Sequence, residues 1–531
     1  MSWAVSPHAE EAPQTAAEPG TGSGSSRRSR REESDGRRLL GLRLPVWFLL
    51  LSLAVQVGFA LRLIWTRTAF SDEALYLFAG HDLVANWVHG VQLPAYASYF
   101  SGAPQLYPPI GAAADTIGGI TAARLLGLAC MMGATVLAYL AASRLYGRTA
   151  GALAALTFVV LTPTQFLSAF STYDPMAVLL TALAGYLAIR AEGRWGWLAA
   201  TGAVVALADG VKYAAALWSP VVVALAVLCA MPKLRLGAAL LRGVFVTAVA
   251  GALMGLGVLA GGRQLRGGIE STTLSRHTGQ DTVAFIMGES WDWVGPVLLL
   301  AVAGLVLLCV RGASWASRGI GAVLLLAVVL APANQARINL TVSLHKHVTF
   351  GAWFACLLAG FFLAWLLETG RGRRIWQPLV ISAALAGTLA VGVPETDRLY
   401  LNGWADATEM VAAIRPHVDE QGLYLAENSP VPRYYLRHET DGTQWVSTWN
   451  YSYKDPKDKK NYSGAAAYEK AIAANKFNLV VLDNKTTKDL DVKITAALQA
   501  NKNYQQVADL PSNIKGLHYT IWLYKPAAKS G

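Results

Sequence analysis

Asp72 and Glu73 stand side by side in SDEALYLFAG (residues 71–80), just after the first long apolar run. Paired carboxylates at the edge of an apolar chain have two uses. One of them can accept the proton of a hydroxyl that is forming a bond, general-base work that contributes ~10²–10⁴-fold to a rate. They can equally favour the positive end of a helix dipole, and Ser71 ahead of them is a good N-cap. A third carboxylate, Asp174, opens an apolar run in STYDPMAVLL (171–180), where Pro175 in the first helical turn also fits a cap. Cations recur in apolar surroundings, Lys212 in ADGVKYAAALWSP (208–220) and Lys346 in SLHKHVTFG (343–351), while Arg276 in TTLSRHTGQD (272–281) falls in the longest loop between apolar runs, 262–292, where it is either a solvated arginine or part of a cover over a site. A charge at the centre of a membrane span costs about 2.5–3.5 kcal/mol, so such residues line a cavity or pair with one another. Lys212 has a local candidate partner in Asp209, three residues earlier. Lys346 has the alternative of snorkelling to the interface. His81, His89, His277, His345 and His347 show no spacing that forces a metal site; positions 345 and 347 point different ways on a helix.

A chain of 531 residues, 54% hydrophobic and only 15% charged, must position these groups, and it is too apolar for an ordinary soluble protein. Apolar runs at 45–65, 121–143, 149–169, 174–190, 195–209, 212–230, 236–260, 293–310, 319–336, 347–367 and 375–393 approach the ~20 residues that cross a hydrocarbon core. They predict a mainly α, polytopic transmembrane domain of about eleven spans over 44–393. The net charge of +11 is placed as topology requires, not as nucleic-acid binding would require. Arg27, Arg28, Arg30, Arg31, Arg37, Arg38 and Arg43 precede the first span. Arg144 and Arg148, Arg190 and Arg194, Lys233 and Arg235, Arg311 and Arg318, and Arg371, Arg373 and Arg374 then mark every second loop. By the positive-inside rule the N-terminus is cytoplasmic, and an odd span count puts the C-terminal segment outside, in a multi-pass protein of the plasma (cytoplasmic) membrane. Residues 1–43, rich in Ser, Gly, Pro, Glu and Arg, are expected to form a disordered cytoplasmic tail without a signal peptide's apolar core. Cys130, Cys229, Cys309 and Cys356 all fall within apolar runs and read as small core residues.

After Ser71, the positions Tyr76, Ala79, Gly80, Leu83 and Trp87 form one apolar stripe, as on a helix lying along the membrane surface. Beyond Pro394 the composition turns polar, which predicts a small extracytoplasmic α/β domain over 394–531. GLYLAEN (422–428), FNLVVLD (477–483) and LHYTIWLYK (517–525) read as strands, ADATEMVAAIRPHV and AAAYEKAIAAN as helices, and PKDKKNYSG as a solvated loop.

SDEALYLFAG resembles the first outer loop of the GT-C membrane glycosyltransferases, particularly the branch of protein O-mannosyltransferases and the lipid A aminoarabinose transferase. The resemblance extends in order through GAPQLYPPIGAAADTIGGITAARLLGLA (102–129), STYDPMAVLL, ADGVKYAAALWSP and SLHKHVTFGAWFACLLAG (343–360), and so covers nearly all of the membrane part. It implies transfer of a sugar from a polyprenyl-phosphate donor to an acceptor on the outer face, usually with inversion. Asp72 is then the general base, with Asp174 beside it and Glu73 either a structural partner or a second base. Lys212, Lys346, Arg276, His277 and Tyr107 are candidates to hold the lipid phosphate or substrate. The position matching Asp174 implies acceptor orientation or a divalent cation; no other cofactor is implied. The acceptor, whether glycan, lipid or protein, stays open, and the tail departs from the eukaryotic protein O-mannosyltransferases in having no evident trefoil repeat. Two other classes fit a many-span chain: a transporter, against which stand the lack of an internal repeat and the acids clustered at the outer mouth, and a non-catalytic scaffold for the C-terminal domain.

Overall fold

The computed structural model describes residues 38–39, 42–192, 194–276, 278–368 and 376–525. The N-terminal tail up to residue 37, His277, and the cluster Arg371, Arg373 and Arg374 lie outside the described residues. Two units are distinguished, dividing between Trp47 and Phe48. In the first, Arg38–Leu39 pairs antiparallel with Leu42–Arg43.

The apolar runs become helices: α1 (Leu44–Ile64), α2 (Ser71–His89), α3 (Tyr107–Tyr146), α4 (Arg148–Val160), α5 (Thr162–Leu167), α6 (Tyr173–Arg190), α7 (Trp195–Val211), α8 (Ser219–Leu228), α9 (Leu236–Ile269), α10 (Val283–Val310), α11 (Trp315–Ile338), α12 (Leu344–Glu368) and α13 (Trp376–Tyr400). Seven of them, α1, α3 and α9 to α13, are long and apolar enough to cross a membrane. The other four runs form shorter helices, for local reasons. At Leu161 the backbone turns extended ahead of Pro163, which ends α4 and starts α5. The 212–230 run begins as a 3-10 turn over Tyr213–Trp218 before Pro220 opens α8. At the centre of the bundle, 72% of the apolar window of α12 and 61% of that of α3 are buried, against 17% for α1 and α9. The outer helices thus leave their apolar faces for lipid.

Three sequence expectations are corrected in detail. The cap of α2 is Phe70, not Ser71: Glu73 Oε2 accepts the Phe70 N–H at 3.0 Å, which moves the helix start back by one position. The expected long loop 262–292 is mostly helix; α9 bends at Gly262, whose φ of 64° suits glycine, and runs on into a π-helical turn Glu270–Leu274. The last membrane helix passes through Pro394 and ends only at Tyr400. The stripe on α2 is observed, with Tyr76, Ala79, Gly80 and Leu83 buried and Trp87 left 58% exposed at its end.

The C-terminal domain comprises α14 (Thr408–Ile414), β1 (Tyr424–Ala426), α15 (Pro430–Tyr435), β2 (Trp445–Val446), β3 (Ser452–Lys454), β4 (Asn461–Ser463), α16 (Ala465–Ala473), β5 (Leu479–Leu482), α17 (Lys488–Ala500), β6 (Tyr504–Pro511) and β7 (His518–Tyr524). Five strands form one sheet in the order β2-β1-β5-β7-β6, parallel across β2, β1 and β5 and antiparallel thereafter. PKDKKNYSG, expected as loop, forms the exposed tip of the β3–β4 hairpin and strand β4 itself. Side chains alternate between the two faces of the sheet. Tyr424, Leu479, Val481, Ile521 and Leu523 share a core with Ala74, Leu77 and Ala123 of α2 and α3, while Leu425, Val480, Leu482 and Trp522 pack on α16 and α17. The domain therefore sits on the helix that carries Asp72. Polar contacts fix it there: Tyr434 donates to Asp115, Arg437 lies 3.2 Å from the same carboxylate, and Ala69 N–H donates to Tyr435 Oη at 2.7 Å.

Candidate active site

Asp72, Asp174 and Lys346 stand in the first turns of α2, α6 and α12, whereas Lys212 and Arg337 stand at the final turns of α7 and α11. In an up-and-down bundle these ends meet on one side. The opposite ends of α6 and α7 carry Arg190 and Arg194, beside Arg144 in the last turn of α3, with Glu192 paired to Arg144 and to Lys233 at 2.8 Å.

At the first side, two carboxylates each meet a lysine. Asp72 Oδ2 lies 2.6 Å from Lys346 Nζ, and Asp174 Oδ1 lies 3.4 Å from Lys212 Nζ. Asp174 is fully buried and accepts from Thr172 Oγ1 at 3.0 Å; Lys212 donates to Ser101 Oγ at 3.1 Å. Lys212 does not pair with Asp209, as the three-residue spacing had allowed. Helix α7 ends at Val211, and the extended backbone of Lys212 (φ −143°, ψ 111°) carries its side chain off that helix face; Asp209 instead accepts from Ser219 Oγ at 2.9 Å. With an ammonium group already beside each carboxylate, the donor set at these residues does not suit a divalent cation.

Glu73 faces the other way and is closed off. It forms a fully buried pair with Arg124, Oε1 to Nε at 3.1 Å and Oε2 to Nη2 at 2.8 Å. Ser171 donates twice to Glu73 Oε1, from its N–H at 2.9 Å and its hydroxyl at 3.1 Å. Arg124 spends its other N–H groups on the carbonyls of Ile64, Arg67 and Thr68, at 2.7, 2.9 and 3.0 Å. All five guanidinium donors are thus used. This knot ties the end of α1, the start of α2 and the entry to α6, and so fixes the backbone on which Asp72 stands.

Two cavities flank the lysines. One, of about 370 Å³, is lined by Asp72, Tyr76, Phe170, His345, Lys346 and Trp404. The other, of about 500 Å³, is lined by Tyr99, Tyr213, Arg276, Asn334, Arg337 and His347. Ser101, Lys212 and Ser343 line both, so Lys212 stands in the partition. Burial lowers the Arg276 guanidinium from its ordinary value. Tyr213 also borders an apolar groove of about 550 Å³ between α7 and α9. Ser101 reaches Lys212 because Gly102 lies flat on the end of α7; a Cβ there would be 2.0 Å from the Val211 carbonyl oxygen. Gly102→Ala is expected to cost about 1–3 kcal/mol, read as a lower unfolding temperature in detergent; unchanged stability would mean that the 99–103 loop yields freely.

Of the residues singled out in the sequence, Asp72, Lys212, Lys346 and Arg276 line these cavities and Asp174 backs Lys212. Glu73 and Tyr107 do neither: Glu73 is sealed against Arg124, and Tyr107 is buried behind Tyr173, ring centroids 5.7 Å apart. Arg124 and Arg337 were not singled out. A signal for both exists, because each lies at the end of an apolar run that the positive-inside reading of the sequence assigns to the outer face, where few cations are expected.

No protein-family model matches the chain, and neither does any curated protein. Solved structures do. The apo oligosaccharyltransferase of Archaeoglobus fulgidus superposes with a TM-score of 0.59 and 12% identity, over 87% of this chain and 73% of that one. Apo ArnT from Cupriavidus metallidurans gives 0.58 and 14%, over 90% and 97%. The arabinofuranosyltransferase AftD from Mycobacteria gives 0.55 and 15%, over 92% and 40%. At such identities the agreement is one of architecture, extending from the membrane helices into the C-terminal domain: the chain has the GT-C fold.

Proposed function

We propose that the protein is a membrane glycosyltransferase that moves a sugar from a polyprenyl-phosphate donor to an acceptor hydroxyl on the extracytoplasmic face. The observation that carries this is the pair of cavities meeting at Lys212, with a carboxylate opening into one and a set of cations lining the other. Among the similar structures, ArnT has been solved with undecaprenyl phosphate and the archaeal oligosaccharyltransferase AglB with dolichol-phosphate, which supports a donor of that class.

In this scheme the lipid chain lies in the apolar groove beside Tyr213, and its phosphate enters the larger cavity between Lys212, Arg276 and Arg337. The acceptor occupies the smaller cavity, its hydroxyl against Asp72. The hydroxyl oxygen attacks the anomeric carbon; the bond from that carbon to the phosphate oxygen breaks, and its electron pair stays on the phosphate. Asp72 takes the hydroxyl proton through Oδ1, while Lys346 holds Oδ2. A single displacement inverts the anomeric centre. The departing anion is stable, so it needs charge stabilisation more than a proton, and preorganised cations give that without reorganisation. Asp174 and Ser101 position Lys212 between the two substrates; Glu73 and Arg124 position Asp72.

Arg337→Gln removes one charged contact to the phosphate, worth about 1.5–3 kcal/mol. The expected result is a donor KM raised by about 10–100-fold with kcat changed much less; an unchanged KM would exclude Arg337 from the phosphate site. The function itself is tested with purified protein, radiolabelled polyprenyl-phosphate sugars and a cell-envelope fraction. Label is expected to leave the lipid extract for the acceptor fraction, with equal release of polyprenyl phosphate. Label that is bound or carried across the membrane but stays lipid-linked would point to a transporter.

A further inference from the structure

The C-terminal domain holds a second group of charged side chains, which sugar transfer does not use. Glu427 directly follows β1, Asp483 directly follows β5, and Asp491 lies in the first turn of α17. Strands β1 and β5 are parallel neighbours, so the first two carboxylates sit at adjacent carboxyl ends, where open α/β sheets hold ligands. Parallel strand β2 leads to Thr448 at the same end, within 3.1 Å of Thr487. One oxygen from each of the three acids lies within 4.8 Å of the others. All three side chains are buried, at 1%, 4% and 2% exposure.

Their hydrogen bonds do not balance this charge. Glu427 accepts from the Asp483 N–H at 2.6 Å and from Thr487, and Asp483 accepts from the N–H groups of Lys485 and Thr486 at 2.9 and 2.7 Å. Among the described residues the one hydroxyl or N–H that reaches Asp491 is Thr487 Oγ1, at 3.1 Å from Oδ1; that hydroxyl has a single hydrogen and lies nearer to Glu427, at 2.9 Å. Asp491 Oδ2 is buried with no hydrogen-bond partner among the described residues. The charged groups that face Glu427 and Asp491 are carboxylates, and no lysine, arginine or histidine among the described residues pairs with them. An orphaned oxygen on a buried anion, beside two further acids, is costly unless a cation or shared protons compensate.

We propose that Glu427, Asp483 and Asp491 bind a hard divalent cation of the Ca²⁺ and Mn²⁺ class. The ligand atoms gathered here among the described residues are oxygens, from the three carboxylates and the Thr448 and Thr487 hydroxyls, which favours such ions over zinc or copper. The ion pins the ends of β1 and β5 to the start of α17. It thereby stiffens the domain that packs on α2. This site is independent of the transfer reaction.

The test uses full-length protein in detergent, stripped with EDTA and titrated with Mn²⁺ by electron paramagnetic resonance and with Ca²⁺ by thermal denaturation. One Mn²⁺ is expected to bind and to be displaced by Ca²⁺, and Ca²⁺ is expected to raise the unfolding midpoint. Asp491→Asn should weaken Mn²⁺ binding by more than the roughly 10–100-fold typical of an outer-shell change, whereas Asp72→Asn should leave it unaltered. Binding unaffected by Asp491→Asn would overturn the assignment. So would an unfolding midpoint that is the same in EDTA and Ca²⁺, together with a Glu427→Gln protein as stable as wild type, the outcome expected of shared protons. Should Asp491→Asn fail to fold, the wild-type comparison of EDTA with Ca²⁺ decides alone.

Discussion

Asp72→Asn should slow turnover by about 10²–10⁴-fold, the usual contribution of a positioned general base, while donor binding stays close to wild type. Asparagine has nearly the same shape as aspartate and still offers Lys346 a carbonyl oxygen, so the 2.6 Å contact has a neutral replacement. Lost is the capacity to take the acceptor's proton. The split between parameters is the informative part. A carboxylate that served only to neutralise Lys346 would, on removal, alter donor affinity and leave kcat within a few-fold. Steady-state kinetics with a radiolabelled polyprenyl-phosphate sugar separate the two, and a kcat within a few-fold of wild type would remove Asp72 from the chemistry.

Arg124→Ala should be the most destabilising single change near the site. It leaves Glu73 buried and charged, and strips three backbone carbonyls of their donors. Breaking a buried pair in this way costs about 3–5 kcal/mol. Lysine does not rescue, because its three donors on a flexible stem cannot replace a planar fork that bonds five acceptor positions. Thermal unfolding in detergent measures both variants. A protein as stable as wild type, with either substitution, would show that the knot does not hold the start of α2 in place.

Much of this was legible in the chain, for identifiable reasons. A period near 3.6 on α2 and the β-branched, aromatic and leucine residues gathered in the C-terminal strands are written in residue type, so the buried stripe from Tyr76 to Leu83 and the strands at 424–426, 479–482 and 518–524 follow from the sequence. Local rules failed where partners are distant. Lys212 looked toward Asp209 because spacing on one helix is visible, whereas the end of α7 and the approach of α6 are not. Glu73 and Arg124 are 51 residues apart, and nothing near either one announces the other. Hydropathy registers how apolar a run is but not whether it stays one helix, so the break at Leu161 and the 3-10 turn after Lys212 were hidden. Arg337 was legible in principle, as a cation on the side where the topology expects few.

A density map of the protein with bound polyprenyl phosphate tests the division of labour between the two cavities most directly. The phosphate is expected in the larger one, in contact with Lys212, Arg276 and Arg337, with the chain along the groove beside Tyr213 and the smaller cavity at Asp72 left free for the acceptor. A phosphate seated against Lys346 in the Asp72 cavity, or one bound away from Lys212 altogether, would contradict it.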